Sequence, residues 1–92
     1  MSTLEIDEDL LEPAQAHCTE TDLVVELTDG ARLVTPLWWY PGLLRATHRE
    51  RNTMELMYSG IHWPDLDEDL SIAGMLRGWK SPDARQPGMA AE

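Results

Sequence analysis

Phenylalanine is absent from this 92-residue sequence, so four tryptophans and two tyrosines must supply its large aromatic surfaces. Each buries ~150–250 Å² when enclosed, enough to anchor a core or an interface. A lone cysteine, Cys18, has no partner in the chain for a disulfide, which fits a reducing, cytoplasmic setting. Apolar runs of ~18 residues are missing, and the N-terminus is acidic rather than led by Lys or Arg; neither a membrane span nor a secretory leader is expected. Positive charge is missing from the whole front of the chain: residues 1–30 hold nine carboxylates and no Lys or Arg.

What charge there is falls unevenly. Residues 31–63 carry Arg32, Arg45, Arg49 and Arg51 against Glu50 and Glu55, the remainder is again acidic, and the net charge is −10. A field of that sign repels nucleic acid and favours basic partners, although solubility alone is the simpler account. Chains of this size bury only roughly 60–65% of the surface they expose when unfolded, which leaves room for one domain with one two-layer core.

Residues 1–13 read as an acidic lead-in closed by Pro13, with Leu10 and Leu11 placed to touch the body. Ala14, Ala16 and Cys18 alternate with polar neighbours and predict a first strand. A hairpin follows, Leu23–Leu27 against Leu33–Leu37 around Thr28-Asp29-Gly30. A two-residue Asp-Gly loop would throw Leu33 to the face opposite Leu23, Val25 and Leu27. A three-residue loop with Gly30 left-handed sets Val25 opposite Leu33 and keeps the four together, and is preferred. Pro36 then requires a strand end or an edge.

Beyond it, Trp38-Trp39-Tyr40-Pro41 leads out of the sheet, and Pro41 suits the first position of a short helix carrying Leu43 and Leu44. Thr47-His48-Arg49-Glu50 has capping-box spacing and predicts a second helix. Met54, Leu56 and Tyr58 read as a strand that bends at Gly60 and runs on through Ile61-His62-Trp63 to a stop at Pro64. After the acidic loop Asp65, Asp67, Glu68 and Asp69, either Asp69 or Ser71 caps a last helix that Gly78 ends. Together these predict an α+β domain over residues 14–80, a small antiparallel sheet of about four to five strands with two or three short helices on one face. Residues 81–92, rich in Pro, Gly, Ala and charge, read as a disordered tail.

The ordered motifs Leu23-x-Val25-x-Leu27-x-Asp29-Gly30, Pro36-Leu37-x-Trp39-Tyr40-Pro41-x-Leu43-Leu44, Arg51-Asn52 and Gly60-Ile61-His62-Trp63-Pro64-x-Leu66-Asp67-Glu68-Asp69 resemble the bacterial domain-of-unknown-function family 2442 over roughly residues 20–80. Met54 stands where that family tends to carry an aromatic, and Gly42 replaces a frequent basic residue. The resemblance implies a small α+β domain without established enzymatic activity, often encoded beside a second small protein in pairs suspected to be toxin–antitoxin systems. Protein binding, not chemistry, is what it implies.

Candidate chemistry is sparse. Asp65-x-Asp67-x-Asp69 matches the start of a calcium loop, but Leu70 stands where a glycine must turn the chain and Leu76 where a bidentate Glu is needed. His62 is a candidate base oriented by Asp65 or Asp67, but no nucleophile or acidic substrate proton stands near it in the sequence, and a strand histidine making one structural hydrogen bond is the simpler reading. His17, Cys18 and His48 have no zinc-like spacing. Acidic surroundings raise a thiol pKa, so Cys18 reads as a small core residue. No metal and no cofactor are expected.

Strand alternation keeps Trp38 and Trp39 from facing the same core, which offers one of them to an interface, and exposed aromatics commonly anchor such contacts. Arg45, Arg49 and Arg51 are expected to pair with acids within the protein or its dimer. The candidate partner-binding set is therefore Trp38, Trp39, Tyr40, Pro41, His62, Trp63, Asp65, Asp67, Glu68 and Asp69. The leading expectation is a non-enzymatic cytoplasmic interaction module, antitoxin-like or regulatory, that binds a basic protein partner and forms a homodimer, with no direct binding of nucleic acid or membrane. An acidic nucleic-acid mimic of the anti-CRISPR or anti-defence type is the alternative. A metal- or His-dependent hydrolase is the third.

Overall fold

In a computed structural model that describes residues 11–86, the alternating apolar residues of the first half form one antiparallel sheet. Strands β1 (Pro13–Cys18), β2 (Asp22–Leu27) and β3 (Arg32–Pro36) lie in that order, with β2 in the middle. The hairpin adopts the three-residue loop: Val25 opposes Leu33, the Leu27 amide donates to the Ala31 carbonyl at 2.8 Å, and Gly30 sits at φ +95°. Leu23, Val25 and Leu27 face the core, and Pro36 closes edge strand β3. Val24 points to the other face yet is also buried, because it lies between His17 of β1 and Val34 of β3.

A 3-10 turn over Leu37–Trp39 leads into α1 (Pro41–Leu44), with Pro41 at its start. Thr47 caps α2 (His48–Arg51) by a complete capping box with Glu50.

The second half departs from the expected single bent strand. Glu55–Leu56 (β4) reverses at Met57–Gly60 and pairs antiparallel with β5 (Gly60–Trp63), Leu56 opposite Ile61. The Met57 amide closes the turn on the Gly60 carbonyl at 2.8 Å. A second reversal at Pro64–Asp67, with Asp67 left-handed at φ +52°, lays Glu68–Ser71 (β6) along β5. The acids expected in a loop therefore include a strand. Ser71, not Asp69, caps α3 (Ile72–Leu76), its hydroxyl accepting from the Gly74 amide at 2.9 Å. Gly78 ends α3 at φ +77°, its amide bonding the Met75 carbonyl and that of Trp79 the Gly74 carbonyl, the Schellman pattern.

The described residues thus form two three-stranded antiparallel sheets, not one sheet of four to five strands. Both are short enough to share one core, in which Leu23, Val25 and Leu27 meet Ile61, Trp63, Ile72 and Met75, with Leu37, Tyr40 and Leu43 from the connecting turns. Leu11 is buried there too, and Pro13, expected to close the lead-in, opens β1, while residues 1–10 of the lead-in, Leu10 included, and residues 87–92 of the tail lie outside the described residues. Ser81, where the tail was expected to start, donates its amide to the Trp39 carbonyl at 2.9 Å. Among the described residues no helix is long and apolar enough to cross a membrane.

Candidate functional site

Strand periodicity divides the second sheet into two chemically distinct faces. Opposed residues in an antiparallel pair share a face, so Glu55, His62 and Asp69 form one row on the outer side. His62 Nδ1 lies 2.7 Å from Asp69 Oδ1, so its carboxylate partner is Asp69 rather than Asp65 or Asp67. The Asp69 hydrogen bond, with lesser help from its charge and those of Glu55 and Asp67, holds the imidazole above its usual pKa. On the inner side, Ile61 opposes Leu70 and Trp63 opposes Glu68. Glu68 is therefore a carboxylate on the core-facing side of an edge strand.

Arg51 and Asn52 tie the two halves together. The Arg51 guanidinium donates to the carbonyls of Leu43 and Leu44, both at 2.8 Å, and of Ala46 at 3.1 Å, closing the end of α1. The Arg51 carbonyl in turn accepts the Trp63 indole N–H at 2.7 Å and the Cys18 thiol at 3.6 Å. The Asn52 side chain accepts the Cys18 amide at 2.8 Å. Cys18 is buried, and burial, partly offset by Arg51, pushes its thiol up to about 11. The surrounding acids are not the cause. Arg51 was expected to pair with an acid; it binds backbone carbonyls instead, because the carbonyls that cluster at a helix end match a forked donor.

Two of the other cations, Lys80 and Arg77, lie over aromatic rings. Lys80 Nζ lies 4.5 Å from the Trp39 ring centre, and the Arg77 guanidinium 5.6 Å from that of Trp79. Among the described residues no Lys or Arg lies within ion-pair distance of a carboxylate; the pair present is His62–Asp69.

Between β6 and the chain leaving α3 runs a cleft of about 250 Å³. Tyr40, Gly74 and Met75 contribute buried residues to it, Glu68–Ser71 one side, and Trp79, Lys80 and Ser81 another. Gly74 is required here: a Cβ would stand 3.0 Å from the Trp79 ring and 2.8 Å from the Ser71 hydroxyl. Glu68 is half-buried, with no hydrogen bond or ion pair among the described residues, and its carboxyl group lies beside Gly42. Burial, and then the charges of Asp69, Asp83 and Asp67, raise its pKa. Burial also lifts the Tyr40 phenol, against a pull from Thr35, although neither hydroxyl makes a hydrogen bond of good geometry.

The candidate residues are thereby sorted. Trp63, Tyr40 and Pro41 are buried in the domain. Trp38 and Trp39 are both half-buried, packed edge to face at 6.3 Å; the alternation expected of them fails because they lie on a 3-10 turn and not a strand. Asp65 and Asp67 are exposed at the β5–β6 turn, while Glu68 and Asp69 lie on opposite faces of β6. Trp79, 62% exposed, joins Glu68 at the cleft. Its sequence signal was its place just after the helix-ending Gly78.

The model of the family described as "Protein of unknown function (DUF2442)" matches residues 13–81. The crystal structure, at 2.75 Å, of a protein of unknown function from Rhodospirillum rubrum ATCC 11170 is similar, with a TM-score of 0.69 and 27% identity over 79% of this chain and 93% of that one. No curated protein matches.

Proposed function

The chain belongs to the family described as protein of unknown function DUF2442, and from that premise we propose that it is a non-enzymatic interaction module whose acidic surface receives a basic protein partner. One observation carries this reading: the described carboxylates are left without Lys or Arg partners inside the chain, while Arg51, Arg77 and Lys80 are held by carbonyls and rings. A surface so charged attracts cationic partners and speeds their encounter, and apolar contacts then hold them. The non-enzymatic part is supported by the His62 geometry. Its Nδ1 is taken by Asp69 on the outer face of a sheet, the imidazole does not line the cleft, and it makes no hydrogen bond to a hydroxyl or thiol among the described residues. Neutralising a basic toxin is one form such a module takes, and the cytoplasm is where its single thiol would stay reduced.

The test is affinity capture of the tagged full chain from nuclease-treated native extract, at low and high salt, beside a variant with Asp65, Asp67 and Asp69 changed to Asn. A basic protein held by the wild type and weakened by the variant is expected. Capture that ignores the three substitutions would overturn the reading. A nucleic-acid enzyme displaced by added DNA would replace it with mimicry.

A further inference from the structure

Glu68 stands apart from the other acids. It is on the inner face of β6, half-buried, and unpaired among the described residues, at a cleft that also contains an exposed indole. A half-buried carboxylate without a partner is costly to keep, since burial removes water that nothing on the protein replaces. The chain has a candidate neutraliser at the same cleft in Lys80. Its ammonium instead lies over Trp39 and donates to the Gly78 carbonyl at 3.3 Å. The cleft therefore keeps an open acceptor at one side. Asp69 lines it as well, and Asp67 and Asp83 lie close enough to act on Glu68, so the local field selects a cation and disfavours an anion.

The apolar lining narrows the choice. Met75 and the Trp79 ring give a long aliphatic stem a surface to lie on, and Gly74 brings that ring close to α3. Trp79 already has the chain's own Arg77 guanidinium near its ring, from a residue outside the cleft lining. A guanidinium is planar, donates in a fork that fits both carboxylate oxygens, and sheds water more readily than an ammonium, which suits a half-buried acceptor beside an indole.

We infer that the cleft between Glu68 and Trp79 is a receptor for a single arginine side chain, presented by the basic partner. Glu68 accepts the guanidinium, and the stem lies along Trp79 and Met75. This rests on the protein-binding reading above and names the residue type that the partner contributes.

The test uses the full-length ¹⁵N-labelled protein and two small probes, N-acetyl-arginine methylamide and N-acetyl-lysine methylamide, followed at the Trp79 indole N–H signal. The expected result is a saturable shift with the arginine probe, binding several-fold weaker with the lysine probe, and a loss of about tenfold or more in Glu68→Gln. Trp79→Leu, read at the Glu68 backbone amide, weakens the same binding and guards against a signal peculiar to the indole. No saturable shift, equal binding of both probes, or an unchanged affinity in Glu68→Gln would each overturn the assignment. Should the arginine probe fail while the wild type still captures a basic protein and the Asp-to-Asn variant does not, the cleft assignment falls and the interaction reading stands. Failure of both would remove both.

Discussion

His62 and Asp69 meet at 2.7 Å across two strands, and the bond is stronger when the imidazole carries its charge. The folded pKa of His62 is raised above 6.5, so the stabilisation is fully present below 6.5 and is lost as pH rises through the folded value. Asp69→Asn should therefore cost stability in mildly acidic buffer and progressively less as the pH rises, and NMR titration should show the His62 pKa falling in the variant. Glu68 behaves in the opposite sense. Its folded pKa is raised above 4.5, so a stability penalty absent below 4.5 develops as pH rises through the folded value. Glu68→Gln is expected to make the protein more stable near neutral pH and equal to wild type in acid, as urea unfolding at several pH values would show. A carboxylate retained at a cost to the fold is what a binding residue looks like. Cys18, its thiol pushed up to about 11 and bonded to Arg51, should react with a thiol reagent at neutral pH only as fast as the protein opens, and much faster in denaturant.

The hairpin of β2 and β3 was legible because four apolar residues can share a face in only one register, and the caps at Thr47 and Gly78 because their local chemistry has few alternatives. The reversal at Met57–Gly60 carries no Asn-Gly or Asp-Gly signal, and Glu68-Asp69-Leu70-Ser71 has none of the residues that favour strands, so the second sheet was hidden. It exists because β5 offers a buried Ile61 and Trp63 for β6 to pair beside, and Gly60 lets the backbones close. A Cβ on Gly60 would stand 2.5 Å from the Leu70 carbonyl oxygen. Gly60→Ala is thus expected to cost about 1–3 kcal/mol in chemical denaturation, with loss of the β5–β6 pairing visible in amide exchange. The cleft was hidden for the same reason, since it needs β6 to turn Glu68 inward and Gly78 to bring Trp79 back over α3. Arg51 misled the reading because a sequence shows its charge and not the three carbonyls it faces. Arg51→Lys keeps the charge and loses the fork, and should destabilise by about 1–2 kcal/mol.

At the scale of the molecule, the two sheets are joined by the Trp63 indole on the Arg51 carbonyl and the Cys18 amide on Asn52, so they share one core, and most of the charge lies on the surface around it. A net charge of −10 without Lys- or Arg-to-carboxylate pairs among the described residues means that the surface field is mainly repulsive. Salt then acts in one direction. Where surface ion pairs hold a protein together, screening weakens it; where like charges push it apart, screening strengthens it. Between ~0.01 and ~1 M salt the Debye length falls from ~30 to ~3 Å, which removes most repulsion between exposed carboxylates. The urea midpoint at neutral pH should therefore rise with sodium chloride, the unfolding free energy increasing by an amount on the order of 1 kcal/mol, the scale of one close charge pair in water. The same screening should slow association with a basic partner, so stability and on-rate move in opposite directions in a single salt series. A midpoint that falls with salt would mean that the acids already have partners within the chain, and the basis for expecting a cationic partner would be gone.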